Sequence, residues 1–112
     1  MSKDTSERRP WRFVLFRKLS KQIKTGNLEK IKYYADKYEI DLNSFENENR
    51  RSLLHVAAKY NQATITLYLL EQGCSMYHQD AKNMCPLYIA AWKRSQDVLE
   101  IERTRRQIFF KE

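Results

Sequence analysis

Apolar residues recur along this chain at helical rather than strand spacing. In WRFVLFRKLSKQIK, Trp11, Leu15, Leu19 and Ile23 stand four apart, which predicts an amphipathic helix over residues 11–25. Phe13, Val14 and Phe16 broaden its apolar face. Leu53, Leu54, Ala57 and Ala58 form a second apolar stripe, and Ala63, Ile65, Tyr68, Leu69 and Leu70 a third. Paired alanines leave room for a neighbouring helix to come close. Gly73 follows the last periodic position, where a helix C-terminus favours a left-handed residue. Pro86 suits the first turn of a helix, where its missing N–H costs nothing. The pattern predicts short antiparallel helices in pairs, separated by polar turns.

Shifting the chain by 33 residues lays SLLHVAA (52–58) over CPLYIAA (85–91). Leu54 then falls on Leu87, Ala57 on Ala90, Ala58 on Ala91, Ile65 on Val98 and Asn47 on Asp80. A 33-residue period with T-P-L-H-x-A at the start of the first helix is the ankyrin pattern, and both segments resemble it. NQATITLYLLEQGC (61–74) resembles the second ankyrin helix with its Leu-Leu-x-x-Gly ending, and GNLEKIKYYADKYEIDLN (26–43) that of a preceding repeat. Gly26 and Asn61 are 35 apart, which implies two extra residues near Lys37–Arg51. The resemblance covers residues 20–101.

It implies an all-α ankyrin-repeat solenoid of antiparallel helix pairs joined by β-turn fingers. The organisation expected is a basic N-terminal tail over 1–10 without fixed structure, a repeat domain over 11–106 (repeats 11–46, 47–79 and 80–106), and a C-terminal tail over 107–112. In this family the motif Thr and His hydrogen-bond across the start of the first helix, so Ser52 and His55 are expected to pair, with Gly73 and Pro86 as further structural positions. The next repeat loses both members together, with Cys85 and Tyr88 in their places. Paired loss is what a structural bond predicts.

At 112 residues the chain is one domain, with a composition (42% hydrophobic, 31% charged) that suits a globular protein. No apolar run is long enough for a transmembrane helix, and the opening residues do not read as a secretory signal. Two cysteines make no disulfide framework, which points to an intracellular protein of cytoplasm or nucleus. Asp4 and Glu7 weaken a mitochondrial presequence reading but leave that organelle open. The net charge of +7 resides entirely in residues 1–32, where ten Lys or Arg face three acids; the remaining residues hold eleven of each sign. Attraction to an acidic partner, nucleic acid included, is therefore expected through residues 8–32.

Nothing supplies the convergent titratable groups an enzyme needs. The two histidines, His55 and His78, are 23 residues apart, and Cys74 and Cys85 have no histidine at ligand spacing. Two glycines cannot build a phosphate-cradling loop. A non-catalytic chain without metal, cofactor or small-molecule substrate is expected.

The resemblance implies instead a protein-binding surface on the fingers and the inner face of the first helices, as in other repeat solenoids. Carried over by position, the residues are Phe45, Asn49, Arg50 and Arg51 in the first finger, and Lys82, Asn83 and Met84 in the second. Lys59, Tyr60, Trp92 and Lys93 stand at the inner-helix ends. Trp92 replaces Lys59 of the preceding repeat and is either an interface anchor or a residue tucked under the C-terminal segment. The basic side of the first helix (Arg12, Arg17, Lys18, Lys21 and Lys24) is a candidate for an acidic partner. Arg94 replaces the glycine expected in the third repeat, and Ile108-Phe109-Phe110 either fold back or meet another protein. The reading is a small adaptor or inhibitor; the alternative is a structural subunit of a large assembly, such as a ribonucleoprotein, docked through the basic helix.

Overall fold

The computed structural model describes the backbone of residues 3–110 and the side chains of 11–106. Six helices account for nearly all the regular structure among them: α1 (Lys3–Thr25), α2 (Leu28–Lys37), α3 (Leu53–Lys59), α4 (Ala63–Glu71), α5 (Pro86–Trp92) and α6 (Gln96–Phe110). Each odd-numbered helix packs on the even-numbered one after it, and the inner helices stack in the order α1, α3, α5. This is the helix-pair solenoid that the 33-residue repeat implies.

Two boundaries differ from the sequence pattern. Helix α1 begins at Lys3, not at Trp11, and so runs through Pro10, a residue that lacks a backbone donor and ordinarily interrupts a helix. Helix α6 continues to Phe110, through residues expected to form a tail. Met1, Ser2, Lys111 and Glu112 lie outside the described residues, and so do the side chains on which the question about Ile108, Phe109 and Phe110 turns.

The turns are set by backbone conformation at equivalent points. Gly26 (φ +79°), Asn61 (+55°) and Arg94 (+58°) are left-handed between the two helices of successive repeats. Glu39 (+51°) and Gly73 (+100°) are left-handed after the second helix, and Arg50 (+61°) and Asn83 (+63°) in the fingers. Arg94 therefore performs the turn that glycine would perform, at a steric cost of roughly 1–2 kcal/mol for a side chain in this region. The two extra residues of the first repeat fall in the expected stretch but are not adjacent. One belongs to α2, which has ten residues against nine in α4. The other falls between Glu39 and Arg50, where Leu42–Ser44 form a 3-10 turn.

The core is built from the predicted stripes. Leu15, Phe16, Leu19 and Ile23 of α1 and Leu53, Leu54, Ala57 and Ala58 of α3 are buried, with Ile65 and Leu69 of α4, Ile89 and Ala90 of α5 and Val98 of α6. The alanine pair of α3 lies between its two neighbours. In α5 Ala90 is buried but Ala91 is exposed, with no further inner helix packed on it among the described residues.

Side chains also tie the repeats together. Asn61 Oδ1 accepts the N–H groups of Asp97 (3.0 Å) and Val98 (3.2 Å), satisfying the first turn of α6 from the preceding repeat. The Ser95 hydroxyl donates to the Ala58 carbonyl, and Tyr77 donates to Glu102.

Candidate interaction surface

The two fingers are the same turn built twice. In the first, Asn47 Oδ1 accepts the N–H groups of Asn49 (2.8 Å) and Arg51 (3.0 Å), and the Asn47 N–H donates to the Arg51 carbonyl (3.1 Å). In the second, Asp80 Oδ1 accepts from Lys82 (2.8 Å) and Met84 (2.9 Å), and the Asp80 N–H donates to the Met84 carbonyl (3.0 Å). Asn and Asp serve because their short side chains reach backbone donors two and four residues on.

The fingers are bonded to each other. The Ala81 N–H donates to the Asn49 carbonyl (2.8 Å), and Arg51 reaches Asp80 Oδ2 at 3.2 Å. His78 Nε2 lies 2.9 Å from Glu46 and 3.2 Å from the Arg50 carbonyl. Burial pushes the Asp80 carboxyl up, but the donors from Met84 and Lys82 and the Arg51 guanidinium outweigh it and hold the group below its ordinary value.

Beneath the fingers, Ser52 caps α3. His55 Nδ1 accepts the Ser52 N–H (3.0 Å) and lies 2.9 Å from the Ser52 hydroxyl, while the His55 N–H faces Ser52 Oγ. With Nδ1 accepting, the ring proton sits on Nε2, which donates to the Met84 carbonyl at 2.8 Å. Burial depresses the imidazole pKa, with Arg51 and His78 adding to that effect and Met84 and Asp80 partly opposing it. His55 is a neutral latch joining one helix start to the next finger. Its equivalent, Tyr88, is 56% exposed, and Cys85 makes no side-chain cap bond.

The remaining predicted residues fall into distinct settings. Phe45 is corrected: it is 2% exposed, 5.9 Å from the Phe16 ring, with the Arg12 guanidinium 5.0 Å over its face. The chain is extended after the Leu42–Ser44 turn, and the ring closes the core under α1 rather than pointing to a partner. Arg12 is thereby occupied as well. Arg51 is held as the link between fingers, and Met84 is half-buried with its backbone N–H and C=O both bonded. Asn49, Arg50, Lys82 and Asn83 are exposed at the finger tips.

Trp92 is 67% exposed, with Lys93 Nζ 4.9 Å from its ring, so it is not tucked under the C-terminal segment. Lys59 Nζ lies 5.4 Å from the Tyr60 ring and Lys24 Nζ 5.8 Å from it. Lys24, Lys59 and Trp92 occupy equivalent positions in the three inner helices, so Lys24 belongs to this row. Arg17, Lys18 and Lys21 are exposed on α1 and have no carboxylate partner among the described residues.

Sequence reasoning did not single out a row of aromatic rings running from Trp11 through Tyr38 and Tyr34 to Tyr33, with successive centroids 5.6, 6.3 and 5.6 Å apart. The KYYADKY segment was the available clue. No group of His, Cys, Asp and Glu that could hold a metal occurs among the described residues, and none of their helices is long and apolar enough to cross a membrane. Burial lifts the Cys74 thiol to about 11.

The family model for ankyrin repeats, in three copies, matches residues 19–101. The chain is 31% identical over 78 residues to ankyrin repeat protein nuc-2 of Neurospora crassa, covering 70% of this chain and 7% of that protein. It is 30% identical over 63 residues to the putative ankyrin repeat protein FPV223 of Fowlpox virus, covering 56% of this chain and 45% of that one. It thus spans under half the length of these curated relatives. Among solved structures it resembles a chain of the complex of the Bd0816 predatory endopeptidase from Bdellovibrio bacteriovorus with immunity protein Bd3460, at a TM-score of 0.68 and 26% identity, covering 77% of this chain and 44% of that one. These relatives are repeat proteins, and nothing in the comparisons points to an enzyme. The repeat pattern, the stacked helix pairs, the doubled finger and the family match agree: the chain belongs to the ankyrin-repeat family.

Proposed function

We propose that this chain is a non-catalytic protein-interaction module, an adaptor or inhibitor, that holds a protein partner between its finger tips and its inner-helix ends. The observation that carries the reading is the exposed row of Lys59, Trp92 and Lys93, with the half-buried Tyr60, on the same inner helices that carry the fingers. Trp and Tyr are prominent in interface energetics because they cover much area with few lost rotamers, and the flanking lysines add charge at the rim. The finger-to-finger bonds support it, since a surface already fixed in its binding shape loses less entropy on association. The solved complex that this chain resembles in part joins an endopeptidase to an immunity protein, which offers a precedent for the inhibitor form.

Capture of proteins at moderate salt by the full chain, alongside Trp92→Ala and Lys82→Ala/Asn83→Ala, tests the reading. Stoichiometric proteins held by the parent chain and lost from Trp92→Ala support it. Proteins retained unchanged by both variants would place the interface elsewhere and sink the proposal. The alternative of a structural subunit docked through the basic helix rests on a different face of the molecule, which carries its own chemistry.

A further inference from the structure

The N-terminal end of the solenoid presents a surface unlike the rest. On α1, Trp11, Val14, Lys18 and Lys21 fall on one outward stripe, opposite the buried Leu15, Leu19 and Ile23. On α2, Tyr34 and Tyr38 turn toward that stripe, and Tyr38 meets Trp11 edge to face. Trp11 is 47% exposed and Val14 is also exposed.

Lysines surround the rings. Lys37 Nζ lies 5.6 Å from the Tyr33 ring and 5.3 Å from Tyr38, and Lys30 Nζ lies 6.0 Å from Tyr34. Residues 11–25 contain no acid at all, and the acids of α2, Glu29 and Asp36, lie on its other side, in the groove toward Tyr68. The end face thus combines four lysines with a patch of planar rings, and among the described side chains none of the four lysines is paired with a carboxylate.

We infer that this end face binds single-stranded nucleic acid, with Trp11, Tyr34 and Tyr38 as the surface on which bases stack and Lys18, Lys21, Lys30 and Lys37 as phosphate contacts. Polyanions bind any cluster of lysines, but a partner with alternating planar and anionic groups matches both halves of this surface. An anionic membrane fits less well. The apolar face of α1 is spent in the protein core, and among its described side chains Trp11 and Val14 are the large apolar ones left exposed to enter a lipid interface. An acidic protein satisfies the lysines but gives the adjoining rings no planar group to stack on.

The test uses the full chain in a Trp92→Phe background, so that Trp11 is the only tryptophan, and a labelled oligouridylate of about 15 nucleotides, within the usual length range of such sites. Binding is expected to quench Trp11 fluorescence and to weaken as salt rises. Trp11→Ala, read from the labelled strand with Trp92 retained, should lower affinity about tenfold by loss of one stacked base, with the salt dependence unchanged. Lys30→Gln/Lys37→Gln should instead reduce the slope of log affinity against log salt by about 1.4, at roughly 0.7 per phosphate contact. Thermal melts of each variant establish that the fold is retained. No binding, equal binding by Trp11→Ala, or equal competition by polyglutamate or phosphatidylserine vesicles would each overturn the inference, the last two by reducing the face to a general polycation.

Discussion

The second and third repeats use the same backbone but close it with different chemistry. In the second, Ser52 and His55 lock the helix start, and His55 extends the lock to the Met84 carbonyl of the following finger. In the third, Cys85 and Tyr88 occupy those positions, the cap bond is absent, and Tyr88 faces outward. Yet α5 begins at the equivalent residue and the backbone turn is unchanged, with Arg94 left-handed where Asn61 is. The latch is a contact between repeats, joining the start of α3 to the finger that follows it. The third repeat has no imidazole at this position, and Pro86 with neighbouring packing suffices to start the helix.

The largest way to break this comparison is His55→Ala. It leaves the buried Ser52 N–H unpaired, strips the Met84 carbonyl of one of its two donors and opens a cavity, so a loss of about 3 kcal/mol is expected. For a domain of this size the melting temperature should fall by roughly 15 °C, measurable by circular dichroism. Tyr88→Ala, at the equivalent exposed site, should shift it little. Comparable losses at both sites would refute the latch.

Next in size is Asp80. Asp80→Ala removes the acceptor for two backbone donors as well as the partner of Arg51, and should cost about 2–3 kcal/mol. Asp80→Asn keeps the turn that Asn47 makes in the first finger and should cost about 1 kcal/mol at most. Similar values for the two in urea unfolding would assign the effect to charge rather than to the turn.

The pH dependence of stability should follow from the same residues. The unfolded His55 takes a proton near pH 6.5, whereas the folded ring, depressed by burial, still resists it. The unfolded chain then binds more protons, so the His55 contribution is complete above pH 6.5 and is lost as pH falls below it. Asp80, also depressed, keeps its contribution above its unfolded pKa near 4 and loses it only in stronger acid. Urea midpoints should drop between pH 7 and pH 5 in the parent chain, with a shallower drop in His55→Gln. A parent midpoint that does not move over this range would contradict the buried neutral imidazole.

Two smaller changes should make the third repeat more like the second. Cys85→Ser supplies the missing N-cap acceptor and should stabilise by about 1 kcal/mol. Arg94→Gly relieves the left-handed backbone but frees the unfolded chain, leaving a gain of about 0.5 kcal/mol. If Cys85→Ser is neutral in thermal unfolding, the cap in the second repeat owes its strength to His55 rather than to the hydroxyl.

Much of the fold was legible because its determinants are local and repeated. Leu54, Ala57 and Ala58 at helical spacing mark the core helix, and their shifted copies mark the next. Asn47 over Asp80 marks the finger, since either side chain can close the turn alone. Phe45 was misread because its position in the finger said nothing of the 3-10 turn that swings it beneath Phe16. Trp92 could not be settled from the chain, because exposure at the end of a helix depends on where the following helix goes.

By itself the sequence determined that helices would form, where each turns, and that they would stack as ankyrin repeats, since apolar period, left-handed turn residues and capping side chains all act within a few neighbours. The tertiary structure alone decided which groups meet across 25 or more residues of chain: Arg51 with Asp80, His55 with the Met84 carbonyl, Arg12 with Phe45, Trp11 with Tyr38. Those meetings depend on how helices of different repeats are set against one another, and no local rule of spacing encodes that.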